Sequence, residues 1–176
     1  MTQCLIALGS NLGDRRQYLT SAVEDVDALD GVSVVAVSSL YETAPVGGPG
    51  DQGPYLNAAL GAKVSLPARQ LLDQLHRIEA EHERERIVRW GARTLDLDLL
   101  TFGDDVSDNE DLLVPHPRMH LRRFVMVPVC DIEPLLRHPT LGKTMRQLLD
   151  ELPVEPGDLS LVDQTWTAAI AERNRQ

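Results

Sequence analysis

The sequence predicts an α+β fold in which helices pack on a mainly antiparallel sheet. Three observations point there. Short runs rich in β-branched or alternating apolar residues are strand-like, two longer stretches carry apolar residues at helical spacing, and no apolar run approaches the roughly 20 residues of a membrane span. The chain has 176 residues, 43% hydrophobic and 25% charged, which suits one globular domain spanning 1–176 with a sizeable core.

The elements follow in order. CLIAL (4–8) is apolar throughout and predicts a short buried strand, and GSNLGD (9–14) predicts a turn. Asp14 followed by Gln17 has the spacing of a capping box, so a helix is expected to start there. Leu19, Ala22, Val23, Val26 and Leu29 give its stripe, and Asp30-Gly31 ends it. VSVVAVSSLYE (32–42) is β-branched and predicts one strand. TAPVGGPGDQGP (43–54) is a Gly/Pro-rich loop, long enough to suggest a binding loop or lid. YLNAALGAKV (55–64) predicts a third strand. Ser65 and Pro67 open a second helix with Leu71, Leu72, Leu75 and Ile78 inward, which fades through EAEHERERIVRWGAR.

The segment RTLDLDLL (93–100) then alternates like a strand. Proline-rich punctuation, an apolar helical run and a short helix over 144–152 complete the pattern, and the tail from Pro153 is left unassigned. The order β-α-β-β-α-β matches a ferredoxin-like unit.

Composition narrows the function. Cys4 and Cys130 are the only cysteines, too few and too far apart for a disulfide scaffold or a zinc site, so they are expected to be reduced thiols. The N-terminus lacks a basic region followed by a long apolar segment, so no signal peptide is expected and the default location is cytoplasmic. A net charge of −10 argues against a general nucleic-acid binder. Yet Arg84, Arg86, Arg89, Arg93, Arg118, Arg122 and Arg123 crowd one central stretch, as an acidic protein that binds a polyanion requires.

The strand RTLDLDLL places Leu95, Leu97 and Leu99 on one face and Asp96 and Asp98 together on the other. Two such carboxylates stand roughly 6.5–7 Å apart along a strand. At an effective dielectric of about 20 they repel by roughly 2–3 kcal/mol. Water at a strand edge absorbs that cost; so does Mg²⁺, which takes a few carboxylates and fills its remaining positions with water and phosphate oxygens. Arginine forks suit phosphate oxygens, so the cluster has the composition of a phosphoryl-transfer site. No Walker-A pattern occurs, so a nucleotide is to be held by side chains and metal.

Beyond these patterns, RWGARTLDLDLL resembles the signature of the 6-hydroxymethyl-7,8-dihydropterin pyrophosphokinase family. ALGSNLGDR, YETAPVG with PYLNAA, RIE and VPHPRMHLRRFV match in order and spacing, so the resemblance runs from about residue 4 to 150. It implies a ferredoxin-like fold and transfer of pyrophosphate from ATP to the pterin hydroxymethyl, giving AMP in folate biosynthesis. Two Mg²⁺ ions held by Asp96 and Asp98 are implied. So are catalytic, phosphate-clamping roles for Arg84 and Arg93, a closing loop with Arg86 and Trp90, and ATP contacts from His76, Glu79, Leu99, His116 and Arg122. Tyr55 and Phe124 match the rings that sandwich the pterin, and Asn57 the side chain that reads its amide edge. Thr43, Ala44 and Val46 match backbone contacts to it, and Gly9 lets backbone approach it. The loops 43–54 and 83–92 are the expected lids.

Glu83, Ala92, His76 and Ala44 depart from the commonest family pattern, but none alters Asp96, Asp98, Arg84 or Arg93, so an active enzyme is expected. A monomer, with possible association with other folate enzymes, is the implied assembly. Two rival readings stay open. A metal-dependent nucleotide hydrolase would break ATP down without pterin, and a catalytically silent binding protein would bind ligands and release no AMP.

Overall fold

The computed structural model describes residues 1–44, 53–82 and 94–173. The main sheet runs β5-β1-β4-β3-β8, with β2 also paired to β4, and every pairing is antiparallel. Its strands are β1 Thr2–Ser10, β2 Val32–Val37, β3 Leu40–Thr43, β4 Tyr55–Val64, β5 Asp96–Phe102 and β8 Leu159–Asp163. The helices are α1 Arg15–Asp27, α2 Ala68–His82, α3 Arg123–Ile132, α4 Met145–Asp150 and α5 Ala168–Arg173, and a small hairpin pairs β6 Ser107–Asn109 with β7 Leu112–Val114. With β2 and β3 taken as one interrupted strand, this is the expected β-α-β-β-α-β order.

Strand alternation sorts side chains to two cores. Cys4, Ile6 and Leu8 meet Leu19, Val23 and Val26 of α1 and Leu71, Leu75 and Ile78 of α2 on one face. Leu5, Ala59 and Leu100 meet Val125, Met126 and Val129 of α3 and Met145 and Leu148 of α4 on the other. Burying each such side chain contributes about 1.5–3 kcal/mol, so two-sided packing fixes the register of every central strand. Both thiols are buried and free, and burial pushes them up to about 12 for Cys4 and about 11 for Cys130. They are inert core groups.

Several local expectations change. The turn expected over 9–14 begins later, because Gly9 and Ser10 stay in β1, paired with Asn57 and Leu56 of β4. Asp14 does accept from the Gln17 N–H at 3.1 Å, but Gln17 turns its amide to Ser21, so only half of the capping box forms. The strand expected over 32–42 breaks at Ser38, whose Oγ accepts the Ala59 N–H at 2.8 Å. The unassigned tail is part of the fold. It supplies β8, and it sends Trp166 and Ile170 into the core beneath α1 and α2. Among the described residues, no helix is long and apolar enough to cross a membrane.

Candidate active site

A cleft of about 840 Å³ opens on the α3 face of the sheet. The sheet order spreads its parts along one line. Asp96 lies beside Gly9, Gly9 beside Asn57, and Asn57 beside Tyr41, while Asp98 lies beside Ala7 and Ala7 beside Ala59. Asp96 and Asp98 thus form one end, and the small residues Gly9 and Ala7 keep the floor low between them and β4. The strand expected over 93–100 begins at Asp96 and runs to Phe102, and the sorting of its alternating leucines and aspartates to opposite faces holds. Leu95, Leu97 and Leu99 are in the α1/α2 core, while Asp96 is half-buried and Asp98 exposed at the cleft.

The opposite end is aromatic and amide-bearing. Tyr55 and Phe124 are half-buried and line the cleft from β4 and α3. Asn57 is 6% exposed, and its Nδ2 donates to Thr43 Oγ1 at 2.7 Å. That bond orients the amide and links two pterin-binding candidates across neighbouring strands. A Cβ on Gly9 would stand 3.3 Å from Asn57 Oδ1 and 3.7 Å from Tyr55 Cδ1, so glycine is what the close approach of β1 and β4 permits. Ala44 also lines this end. Arg15 ties together the flanks of the neighbouring loop, donating to Glu42 Oε2 at 3.0 Å and to the Pro54 carbonyl at 2.7 Å.

Arg122 lines the cleft beside Phe124, and His116 lies near Asp98 and Arg122. The His116 backbone N–H donates to the Leu100 carbonyl at 2.8 Å, fixing its turn to β5. Its Nδ1 accepts the Arg118 N–H at 3.1 Å, which leaves the neutral ring's proton on Nε2. Burial holds the imidazole below its ordinary range, and the nearby Asp98 carboxylate opposes that shift. The Arg122 guanidinium sits 5.7 Å from the Phe124 ring centroid, bringing a cation to the aromatic end of the phosphate region.

Other sequence candidates lie apart. His76 is exposed and Glu79 half-buried on α2, which packs on the opposite face of the sheet. The Leu99 side chain belongs to that opposite core, so only its backbone is left for a ligand on the cleft side. Arg84, Arg86, Trp90, Arg93 and Val46, with most of both expected lids, lie outside the described residues. The stems of the 83–93 segment are joined, Thr94 Oγ1 donating to the His82 carbonyl at 2.6 Å, and this closure leads straight into Asp96.

Sequence reasoning missed one wall. Leu152, Pro153 and the segment Glu155–Leu159 border the aromatic end, and Arg123 Nε donates to Asp158 Oδ2 at 2.8 Å. The acidic tail following a basic helix start was the available signal.

The carboxylate end suits Mg²⁺. Asp96 and Asp98 supply two hard oxygen donors, and no group of three or more metal-binding side chains occurs among the described residues to make a closed cage. Magnesium is held in just that way, by one or two carboxylates with water and phosphate oxygens completing the shell. A ferredoxin-like sheet carrying acidic residues at one end of a cleft and an aromatic, amide-lined pocket at the other defines a phosphoryl-transfer class of protein. Comparison with known proteins narrows the class. A model of the family described as 7,8-dihydro-6-hydroxymethylpterin-pyrophosphokinase matches residues 5–134, and the chain belongs to that family.

The chain is 50% identical over 127 residues to the 2-amino-4-hydroxy-6-hydroxymethyldihydropteridine pyrophosphokinase of Bacillus subtilis, covering 72% of this chain and 75% of that one. It is 42% identical over 150 residues to the enzyme of the same name from Pseudomonas aeruginosa, covering 85% and 91%. Among solved structures it resembles a Plasmodium falciparum HPPK-DHPS chain crystallised with pteroate, at a TM-score of 0.67 and 14% identity. That match covers 85% of this chain and 44% of the other, so it speaks for the fold alone.

Proposed function

We propose that the cleft transfers the pyrophosphoryl group of ATP to the hydroxymethyl oxygen of 6-hydroxymethyl-7,8-dihydropterin, with the residues placed as follows. The activity itself is that of the family to which the chain belongs, an ATP-dependent diphosphotransferase of folate biosynthesis. The observation that carries the residue assignment is the order of strands across the cleft, with Asp96 and Asp98 on β5 at one end and Asn57, Thr43 and Tyr55 on β4 and β3 at the other. The floor of Gly9 and Ala7 lies between them. A flat heterocycle at the aromatic end therefore points a substituent toward the carboxylates.

Tyr55 and Phe124 stack on the pterin, Asn57 reads its amide edge, and Thr43 holds Asn57 in orientation. Backbone groups at Thr43, Ala44 and Val46 complete that edge. The hydroxymethyl oxygen attacks the β-phosphorus, the bond to the α-phosphate bridging oxygen breaks, AMP leaves, and the hydroxyl proton passes to water. Asp96 and Asp98 would hold the two magnesium ions that accompany ATP, which supply charge neutralisation of the triphosphate. Arg122 and His116 orient phosphate oxygens from the α3 side. Arg84, Arg86, Trp90 and Arg93 are assigned to the nucleotide phosphates and His76, Glu79 and the Leu99 backbone to the base, which on this assignment passes the β5 edge of the sheet to reach α2. No covalent enzyme intermediate is required. The protein works as a cytoplasmic monomer in this reading.

The test is the product of ATP turnover with Mg²⁺, with and without the pterin. The expected result is AMP in one-to-one ratio with pterin diphosphate and almost no ATP loss without pterin. ADP or AMP released at a similar rate without pterin would replace this reading with a nucleotide hydrolase, and ligand binding without AMP would replace it with a silent fold.

A further inference from the structure

The end of the cleft farthest from the carboxylates is built by chain that the family match, residues 5–134, does not reach. After α4 the backbone passes Leu152 and Pro153, borders the cleft from Glu155 to Leu159, and enters β8. Leu159 pairs with Thr43, so the strap continues the sheet directly beside the strand that carries the Asn57 partner. Three anchors hold it. Asp158 pairs with Arg123 of α3 at 2.8 Å, the two side chains being only 27% and 21% exposed. Arg16 of α1 pairs with Asp163 at the far end of β8. Trp166 is buried in the opposite core and donates from Nε1 to the Ser38 carbonyl at 2.9 Å. Pro153 and Pro156 stiffen the stretch between α4 and the ion pair.

We propose that residues 152–159 are a specificity-determining wall for the pterin, with Asp158 as the positioning residue that latches the wall to α3. This rests on the pyrophosphokinase reading of the cleft. Arg123 immediately precedes Phe124, so the latch joins the wall to the turn of helix that presents one stacking ring. The sheet order puts the wall across the pterin from the reacting hydroxymethyl. Its contacts are therefore made equally in ground and transition states, and they set the pterin KM with little effect on kcat. ATP sites lie at the other end of the line, so the ATP KM is indifferent to the wall.

The test is steady-state kinetics of the full chain for Asp158→Ala and Asp158→Glu. Asp158→Ala is expected to raise the pterin KM by about fivefold, as loss of a partly shielded charge-assisted bond would, with kcat and the ATP KM within about twofold. Asp158→Glu is expected to restore most of the loss. An unchanged pterin KM in Asp158→Ala overturns the proposal, as does an equal fall in kcat. Hydrogen exchange supplies a second reading that needs no variant. Adding 6-hydroxymethyl-7,8-dihydropterin with a non-hydrolysable ATP analogue should slow exchange of the amides at 154, 155 and 157–159, and unchanged exchange there overturns it as well. Absence of pterin-dependent AMP in the unaltered protein would instead remove the underlying reading of the cleft.

Discussion

Gly9 and Asn57 approach closely in the cleft, and the fit can be tested by adding one methyl group. In Gly9→Ala the new Cβ would press on Asn57 Oδ1 at 3.3 Å and touch Tyr55 at 3.7 Å. Asn57 cannot retreat without giving up its 2.7 Å bond to Thr43. The expected outcome is a pterin KM raised several-fold with the ATP KM unchanged, read from initial rates with each substrate varied in turn. Asn57→Ala leaves the Thr43 hydroxyl without its partner and is expected to cost about 1–3 kcal/mol of stability besides weakening pterin binding, measured by urea denaturation and by titration of the pterin. Residues at this scale were legible where a motif carried them. Asp96 and Asp98 share a face because strand side chains alternate, and Asn57 stands in an apolar run that gives an amide no partner of its own. Asp158 and Arg123 were not legible, because an ion pair 35 residues apart leaves no periodic trace and either residue alone reads as a surface charge.

At the scale of elements, long amphipathic segments were read correctly and boundaries were displaced by tertiary pairing. α1 buries Leu19, Ala22, Val23 and Val26 and α2 buries Leu71, Leu75 and Ile78 as predicted, while Leu72 is only partly buried and Leu29 falls beyond the end of α1. Gly9 and Ser10 look like a turn in sequence, yet β4 pairs with both and holds them in β1. Ser38 interrupts a β-branched run because its hydroxyl takes over one backbone bond of the ladder. β8 escaped notice because it is an edge strand. Leu161 and Val162 are 51% and 47% exposed, so no inward and outward alternation marks it. What fixes the tail is Trp166, which meets the break at Ser38 and fills the core on the far face. Trp166→Ala is expected to destabilise the protein by about 3–5 kcal/mol, seen as a lowered denaturation midpoint.

For the whole molecule, the sandwich of one sheet between two helix layers follows from strands whose alternate residues are both apolar, and the order of elements was enough to name its topology. The distribution of charge was less transparent, because a net charge of −10 does not reveal that Arg122 and Arg123 line the cleft together with Asp96, Asp98, Glu155 and Asp158. One buried group links the fold to pH. His138 is 5% exposed, its Nδ1 accepts the Thr140 N–H at 3.2 Å, and the His120 ring stands edge-on at 6.0 Å. Burial, and secondarily His120, hold its affinity for a proton below the ordinary histidine value. Above about pH 6.5 the ring is neutral in folded and unfolded chains alike, and stability does not depend on it. As pH falls below that, the unfolded chain takes up a proton the folded one resists, so stability declines until the folded state's own lower value is reached. His138→Gln is expected to flatten this part of the curve, measured by denaturation midpoints at a series of pH values.

The most direct measurement of the central claim is the rate of pterin-dependent AMP formation by Asp98→Asn against the unaltered protein, at saturating ATP, pterin and Mg²⁺. Asp98 is exposed on the cleft side of β5, so the isosteric change removes a charge and leaves the fold intact. The account predicts a fall on the order of a hundredfold or more with an unchanged denaturation midpoint. A variant that keeps a rate within a few-fold of the original would contradict it, because the paired carboxylates would then not be holding the metal-bound triphosphate.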